Sequence, residues 1–292
     1  MVEFILAMKN EKKKVFIKRE FFCLISFCLV VGWLTVSLAA QQKLVAIGGG
    51  KRPPAAIKRF VDWAGAEKSK ILIITWASGV PQESFDGIKK DFAAYQIAAF
   101  ENAPFAPLTN QTRQEFLAQL KNATAVFFTG GDQNRIMDVL KDEELYAALV
   151  ERYAAGVVFG GTSAGTAAMT TPMMTGEANL KIIDGAKVGT RKGLGLLPNT
   201  VLDQHFIVRQ RENRLFGLIL QNPTLLGIGI DEDMAVLVED NRRAEVVGET
   251  QVMFVDAHNR KGAMLIHLLK AGEQFDLKKR KMVSKARAVT QK

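Results

Sequence analysis

The sequence of 292 residues has a formal net charge of +9, and this charge lies at its two ends. Residues 1–40 contain six Lys or Arg and three Glu, and residues 278–292 contain seven Lys or Arg and no acidic residue. The part between them is close to neutral, which argues against a nucleic-acid-binding face on the folded domain.

The first forty residues have the pattern of an export signal. A basic run over 12–19 precedes an apolar stretch over 21–38, and the small residues Ala39 and Ala40 follow. Cleavage after Ala39 or Ala40 would give a secreted or periplasmic protein, although an apolar stretch of this length also approaches that of an uncleaved membrane anchor. Both cysteines, Cys23 and Cys28, lie in this stretch, so a cleaved chain has neither a disulfide nor a thiol nucleophile.

From residue 43 onward, short apolar runs alternate with longer amphipathic runs. The runs typical of strands cover 43–47, 71–75, 98–100, 125–129 and 156–159. The runs typical of helices cover 55–66, 84–94, 112–120, 134–140 and 143–155. Strands that alternate with helices at this spacing predict βαβ units and a mostly parallel, doubly wound sheet with helices on both faces.

Beyond residue 194 the pattern changes. Two strands are predicted over 201–206 and 225–230, with a helix over 210–220 between them, and short antiparallel strands are predicted over 235–239, 244–247 and 252–255. We therefore expect one α/β domain over 41–277 with a C-terminal antiparallel extension. Residues 278–292 are expected to form a solvated basic tail.

A candidate nucleophile lies in the segment Gly161-Thr162-Ser163-Ala164-Gly165, which fits the pattern G-x-S-x-G. An apolar strand precedes it and small residues compatible with a helix follow it, as in the tight strand-to-helix turn that raises a catalytic serine above a sheet. The alternative interpretation is a purely structural tight turn.

Two glycine-rich segments follow other predicted strands. Gly130-Gly131 emerges at the same carboxyl edge as Ser163, so backbone N–H groups of this loop and of Ala164 are candidates to bind an oxyanion. Neither this loop nor Gly48-Gly49-Gly50 fits the nucleotide-binding glycine motifs, which disfavours nucleotide binding.

The candidate base is one of only three histidines, His205, His258 and His267. A serine nucleophile usually needs a neighbouring base, and histidine titrates in the useful range. His205 ends a predicted strand, where a parallel sheet would present it beside Ser163, whereas the other two belong to the antiparallel region. His205 is therefore the preferred candidate.

The acid that would orient this base is not decided by spacing. The candidates are acidic residues after the next strand or between Ser163 and His205, namely Asp231, Glu232, Asp233, Glu177 and Asp184. Arg209, Arg211 and Arg214 follow His205 closely. They indicate either a solvated basic surface or a clamp for a substrate carboxylate.

Several motifs together resemble those of the cyanophycinases, in the serine peptidase family that also contains the α-aspartyl dipeptidases. The matching segments, in the expected order, are Phe128-Thr129-Gly130-Gly131-Asp132-Gln133, Gly161-Thr162-Ser163-Ala164-Gly165, Asp203-Gln204-His205-Phe206 with Arg209, Arg211 and Arg214, and Gly227-Ile228-Gly229-Ile230-Asp231-Glu232. The resemblance extends over about residues 43–275. One departure is Thr166, where the family more often has alanine, and a small residue there should be tolerated.

The resemblance implies a flavodoxin-like α/β fold, a Ser-His-Glu triad of Ser163, His205 and Glu232, and an oxyanion hole near Gly131 and Ala164. It also implies a substrate site lined by Gln133, Asp203, Gln204, Arg209, Arg211 and Arg214. The expected substrate is cyanophycin, a poly-aspartate backbone that bears arginine on each side-chain carboxylate, and the expected products are β-aspartyl-arginine dipeptides. No metal or organic cofactor is expected, and the family suggests a homodimer.

Three other functions stay open from the sequence alone. The first is an exopeptidase of the same family that acts on short aspartyl peptides. The second is a non-catalytic exported protein that retains the site for peptide capture. The third, glutamine amidotransfer, usually uses cysteine on similar folds, and the position of both cysteines before residue 40 counts against it.

Overall fold

The structure is a computed structural model that describes residues 40–283. The expected export segment, apart from Ala40, and the last nine residues of the expected basic tail lie outside the described residues. Within 40–283, no helix has both the length and the apolar character needed to cross a bilayer.

The strands found in residues 40–283 are β1 Lys43–Ile47, β2 Lys70–Ile74, β3 Ala99–Asn102, β4 Ala125–Phe128, β5 Val158–Thr162, β6 Met173–Ala178, β7 Val188–Arg191, β8 Thr200–Gln204, β9 Leu226–Ile230, β10 Met234–Glu239, β11 Arg243–Gly248, β12 Gln251–Asp256, β13 Leu265–Lys270, β14 Gln274–Asp276 and β15 Lys281–Val283. The α-helices in the same range are α1 Pro54–Ala64, α2 Pro81–Phe92, α3 Asn110–Asn122, α4 Gln133–Val139, α5 Glu143–Ala154, α6 Ala164–Ala167 and α7 Glu212–Gln221.

Local sequence signals explain where the helices begin. Pro54 and Pro81 lie in the first turns of α1 and α2, where a missing N–H removes no helical hydrogen bond. Thr109 caps α3 through a reciprocal hydrogen bond with Thr112, and Asp142 caps α5. Pro81 and the Thr109 cap place the starts of α2 and α3 three and two residues earlier than apolar periodicity alone predicts.

The main sheet has nine strands in the order β15-β14-β11-β10-β1-β5-β4-β2-β3. The five strands β1-β5-β4-β2-β3 are parallel to one another. The other pairs, β1 with β10, β10 with β11, β11 with β14 and β14 with β15, are antiparallel. The predicted α/β class, with a parallel sheet and a C-terminal antiparallel extension, is confirmed. The order of the parallel strands, 3-2-4-5-1, differs from the flavodoxin order 2-1-3-4-5.

Helices cover both faces of the parallel part. One face packs α1 and α2 around Phe60 and Phe127, whose rings meet edge to face at 5.5 Å. The opposite face packs α3, α4 and α5 around Phe116 and Phe128. This arrangement places the carboxyl ends of β1, β4 and β5 at one edge of the sheet, where the candidate nucleophile lies.

A second sheet, in the order β13-β12-β9-β8, packs on the antiparallel part of the main sheet. Phe254 of β12 stacks on Phe275 of β14 with ring centroids 4.5 Å apart, and α7 covers the outer face. The sequence predicts β8 and β9 as strands, but it does not predict that they leave the main sheet. His205 therefore approaches Ser163 from a different sheet.

The folded part of the chain continues past residue 277. Lys281–Val283 forms β15, and the guanidinium of Arg280 donates to Asp256 at 2.6 Å. Residues 278–283, the first part of the predicted basic tail, thus form a turn and the edge strand of the main sheet.

Candidate active site

Ser163 occupies a sharp bend between β5 and α6. Its backbone has φ 54° and ψ −116°, a conformation that few non-glycine residues adopt, and its N–H donates to the carbonyl of Ile47 at 3.0 Å. The flanking glycines make the bend possible, because a Cβ at Gly161 would lie 2.9 Å from the backbone of Gly165. The strand-turn-helix context predicted for this motif is present.

His205 follows β8 and brings its ring to Ser163. The Nε2 atom lies 2.8 Å from Ser163 Oγ. The backbone of His205 is left-handed, with φ 47°, and its N–H donates to the carbonyl of Gly48 at 2.9 Å. The position of His205 next to Ser163 is thus fixed by a backbone hydrogen bond between the two sheets as well as by the side-chain contact.

Glu232 is the acidic residue that contacts the imidazole. Its Oε1 lies 2.5 Å from Nδ1 of His205. Its two neighbours have other roles, since Asp231 accepts from the N–H of Val208 and Asp233 accepts from the N–H of Lys51. Spacing left the choice among the acidic candidates open, and the geometry places Glu232 next to the base.

The other two acidic candidates lie elsewhere. Asp184 caps the short 3-10 helix Gly185–Lys187, and Glu177 lies on β6 next to Gly189. Within residues 40–283 neither of them hydrogen-bonds to His205.

The glycine loop after β1 supports the base, a role that sequence reasoning missed. Gly49 has φ 132°, and a Cβ there would lie 2.6 Å from Nε2 of His205. The carbonyls of Gly48 and Gly49 accept from the N–H groups of His205 and Asp233. The sequence signal was available: three consecutive glycines follow the strand predicted over 43–47.

Burial sets the protonation of the base. Desolvation lowers the pKa of His205 below its ordinary value, the positive charges of Arg209 and Arg211 lower it further, and the hydrogen bond to Glu232 opposes them. The imidazole is therefore neutral near pH 7, as a general base requires.

The two candidate oxyanion donors lie on either side of Ser163. Within the described part of the chain, the backbone N–H groups of Gly131 and Ala164 have no hydrogen-bond acceptor. The Gly130-Gly131 loop is in contact with the nucleophile, since a Cβ at Gly130 would lie 3.3 Å from Ser163 Cβ. These amides are thus available to a ligand at Ser163.

Three of the six predicted substrate residues lie around the catalytic atoms. Gln204 Oε1 is 3.4 Å from Ser163 Oγ, Arg209 is exposed, and Arg211 is half-buried and donates to the carbonyl of Gln204 at 2.7 Å. Burial and the nearby charge of Arg214 lower the pKa of Arg211 to about 10. The electrostatic attraction between an anionic ligand and a partly desolvated guanidinium is stronger than that between the ligand and an exposed one.

The other three predicted substrate residues are buried and bind other groups of the protein. Asp203 and Arg214 are 1% and 3% exposed, and they form a bidentate ion pair in which Arg214 Nε donates at 2.8 Å. Gln133 is also buried and donates to the carbonyl of Met174 at 2.8 Å. Because Asp203 and Arg214 neutralise each other, they support the strand end that carries Gln204 and His205.

Thr166 connects the bend to β1. Its Oγ1 accepts from the N–H of Ile47 at 3.0 Å and lies 2.7 Å and 2.9 Å from the carbonyls of Ile47 and Gly161. The sequence indicated only that a small residue is tolerated here.

The arrangement is suited to nucleophilic catalysis. A hydroxyl, an imidazole and a carboxylate form a continuous hydrogen-bonded chain, which lets the hydroxyl lose its proton as it attacks a carbonyl. Within residues 40–283, no group of three or more His, Cys, Asp or Glu side chains is arranged to hold a metal ion.

Comparisons with known proteins agree with this chemistry. Residues 44–246 match the sequence model of peptidase family S51. Two proteins named cyanophycinase, from Geminocystis herdmanii and Trichormus variabilis, are each 30% identical, over 82% and 83% of this chain and 94% and 88% of their own. The crystal structure of a peptidase from an acI-B1 Actinobacterium shares the fold, with a TM-score of 0.60 and 23% identity over 80% of this chain and 96% of that chain.

Proposed function

The chain belongs to peptidase family S51 and is a serine-type peptidase, and from this premise we propose that it cleaves cyanophycin to β-aspartyl-arginine dipeptides through an acyl-enzyme on Ser163. The observation that carries the proposal is the hydrogen-bonded chain from Ser163 Oγ through His205 to Glu232. Two relatives named cyanophycinase, each 30% identical over most of their length, support the choice of substrate.

The proposed reaction has two steps. Nε2 of His205 takes the proton of the Ser163 hydroxyl as Oγ attacks the aspartyl carbonyl carbon, and the N–H groups of Gly131 and Ala164 bind the resulting oxyanion. The C–N bond then breaks as His205 gives its proton to the leaving amine. Water hydrolyses the acyl ester by the reverse sequence, which regenerates the hydroxyl. Glu232 holds the imidazole in the required tautomer and stabilises its positive charge.

Arginine side chains beside the nucleophile fit the charge of this substrate. Each branch of cyanophycin carries one free carboxylate and one guanidinium. Arg209 and Arg211 lie next to His205, and Arg211 is partly desolvated, so a carboxylate held there gains a charge-assisted hydrogen bond. Gln204 supplies an uncharged amide beside Ser163 Oγ.

We also propose that the protein is exported and that it acts as a homodimer. The basic run, the apolar stretch and the small residues Ala39 and Ala40 support export. N-terminal sequencing of protein from the extracellular or periplasmic fraction would identify the cleavage site. The homodimer follows from the resemblance alone, and sedimentation equilibrium of the purified protein would check it.

The proposed substrate is tested by incubating the purified protein with cyanophycin and identifying products by mass spectrometry. We expect β-aspartyl-arginine from the wild type and none from Ser163→Ala, with the fold retained by circular dichroism. A matched control is Ser69→Ala, which removes a buried hydroxyl without a partner before β2 and should leave turnover unchanged.

Two results would contradict parts of the proposal. Cleavage of short aspartyl peptides without release of β-aspartyl-arginine from the polymer would indicate an exopeptidase of different specificity. A Ser163 that does not react with a serine-directed phosphonate, in a protein that binds aspartyl peptides, would indicate peptide capture without catalysis.

A further inference from the structure

A cavity of about 570 Å³ opens beside the Ser163 site but does not include Ser163, His205 or Glu232. It lies where the segment after β2 meets the start of α3 and the helices α4 and α5. Trp76, Pro107 and Leu108 give it an apolar wall, while Arg135 and Asp138 of α4 contribute opposite charges. The volume is in the range of about 300–1,000 Å³ that is typical of sites for small ligands.

The Gly130-Gly131 loop lies between the nucleophile and one wall of this cavity. Gly130 packs against Ser163 on one side. On the other side, Gly131 packs so closely on the carbonyl of Ala77 that a Cβ there would clash, and the N–H of Asp132 donates to the same carbonyl at 2.9 Å. Ser78, the next residue, lines the cavity. A peptide held at Ser163 therefore reaches the cavity by crossing a single loop.

The charges in the cavity leave one guanidinium without an acidic partner. Arg113 is neutralised by Asp142 and Glu144. Arg135, in contrast, takes part in no ion pair with any residue in the range 40–283. Its Nη1 lies at the turn after Ser78, 3.4 Å from where a Cβ on Gly79 would be. The guanidinium thus lies at the side of the cavity that the turn after β2 forms.

Asp138, like Arg113, is paired within the protein. Its carboxylate contacts Lys141 and Arg191. The guanidinium of Arg135 is therefore the charged group on this part of α4 that is available to a ligand.

We propose that this cavity is a remote subsite that binds a neighbouring aspartyl–arginine unit of the peptide substrate, with Arg135 bound to the free carboxylate of that unit. The inference rests on the proposed function, because it takes from it the identity of the repeating unit. Each unit presents one free carboxylate, which suits the guanidinium of Arg135. A guanidinium binds a carboxylate through two parallel hydrogen bonds, so the contact selects orientation as well as charge.

The subsite predicts that the effect of Arg135 depends on substrate length. Peptides of two, three and four aspartyl–arginine units would be assayed with the wild type and with Arg135→Gln. For two units, which fill only the positions next to the cleaved bond, we expect unchanged kcat and KM. For three and four units we expect KM to rise about fivefold to tenfold with kcat unchanged, as for the loss of one uniform binding contact.

Arg243→Gln is the matched control, since Arg243 is an exposed arginine on β11, at the opposite side of the main sheet. It should leave KM unchanged at every length. Equal KM values for Arg135→Gln and wild type at three and four units would overturn the subsite. A KM that rises equally at all three lengths would overturn it as well, because the residue would then act at the cleaved bond.

A binding measurement separates this inference from the proposed function. Ser163→Ala and Ser163→Ala/Arg135→Gln would be titrated with the uncleaved three-unit peptide, and we expect the second variant to bind about fivefold to tenfold more weakly. Equal affinities, or no binding by either variant, would overturn the subsite. A wild type that cleaves none of the peptides would refute the proposed function, whereas cleavage with no effect of Arg135→Gln would refute the subsite alone.

Discussion

Gly49 lies directly against the imidazole of His205, at a position where a Cβ would be 2.6 Å from Nε2. The loop that contains Gly49 also accepts a hydrogen bond from the backbone N–H of His205 through the Gly48 carbonyl. The end of β1 therefore forms one wall of the site and sets how closely the base approaches Ser163. In the proposed mechanism Nε2 receives the proton of Ser163, so small movements of this wall should act on catalysis directly.

Gly49→Ala should reduce kcat/KM by at least about 100-fold while the protein stays folded. The added methyl group has to displace the imidazole, and a displacement near 1 Å costs about this factor. The backbone at residue 49, with φ 132°, adds strain. The measurement is kcat/KM together with the thermal midpoint Tm.

Gly87→Ala is the control for this substitution. Gly87 lies inside α2 with no neighbour within 4 Å of an added Cβ, so alanine should stabilise the protein by about 0.5–1 kcal/mol and leave the activity intact. Full activity in Gly49→Ala would show that the glycine does not position the base.

Much of the fold and the residues of the site follow from the sequence, whereas their spatial relationships do not. Apolar periodicity predicts β1, β2, β4 and β5, and the G-x-S-x-G pattern predicts the bend at Ser163. Strand periodicity carries no information about which sheet a strand joins, so it did not predict that β8 lies in a second sheet. Spacing also failed to choose Glu232, because three consecutive acidic residues differ only in the direction of their side chains.

The buried ion pair shows the same limit. A cluster of charges such as Asp203 and Arg214 has the composition of a ligand site, and only the burial of both side chains reveals that they bind each other. Family resemblance assigns residues to a site more readily than it separates those that contact substrate from those that support them.

The acid limb of the pH profile should fall below pH 6.5 in the wild type. Catalysis needs neutral His205, and burial lowers the pKa of its imidazole, so the base stays active at lower pH than an exposed histidine would. Glu232→Gln removes the partner that raises this pKa. The midpoint of kcat/KM should therefore move further towards acid, and the plateau should fall about 100- to 10,000-fold. Rates from pH 4 to pH 9 would show both effects, and a shift towards neutral pH would contradict the assignment.

Arg209→Gln should shift the same midpoint in the opposite direction. The positive charge of Arg209 lowers the pKa of His205, so its removal makes protonation easier and moves the acid limb to higher pH. The difference in midpoint between the wild type and Arg209→Gln should decrease with added salt, because Arg209 is exposed and salt screens its charge. An unchanged midpoint would show that Arg209 exerts no field at the base.

Removing one partner of the Asp203–Arg214 pair should destabilise the protein strongly. Both side chains are buried, so Asp203→Leu or Arg214→Met alone leaves an uncompensated charge and should lower the free energy of unfolding by about 3–5 kcal/mol. The double variant Asp203→Leu/Arg214→Met buries no charge and should be more stable than either single variant. Urea unfolding of the wild type, the two single variants and the double variant gives the coupling free energy between the two side chains. If the losses of stability in the single variants add up to the loss in the double variant, a buried pair is excluded.

Thr166→Val tests whether the hydroxyl holds the bend to β1. Valine has nearly the same shape but removes the buried hydroxyl that accepts from the N–H of Ile47 and lies within hydrogen-bond distance of the carbonyls of Ile47 and Gly161. The loss of a buried hydrogen bond costs about 0.5–1.5 kcal/mol, which corresponds to a decrease in Tm of about 1–6 °C for a domain of this size. Thr166→Ser keeps the hydroxyl and loses only one buried methyl group, so its Tm should lie between those of the wild type and the valine variant. Because Ile47 also accepts from the N–H of Ser163, valine should lower kcat more than serine does. A valine variant with the Tm and kcat of the wild type would show that the bend is held by packing alone.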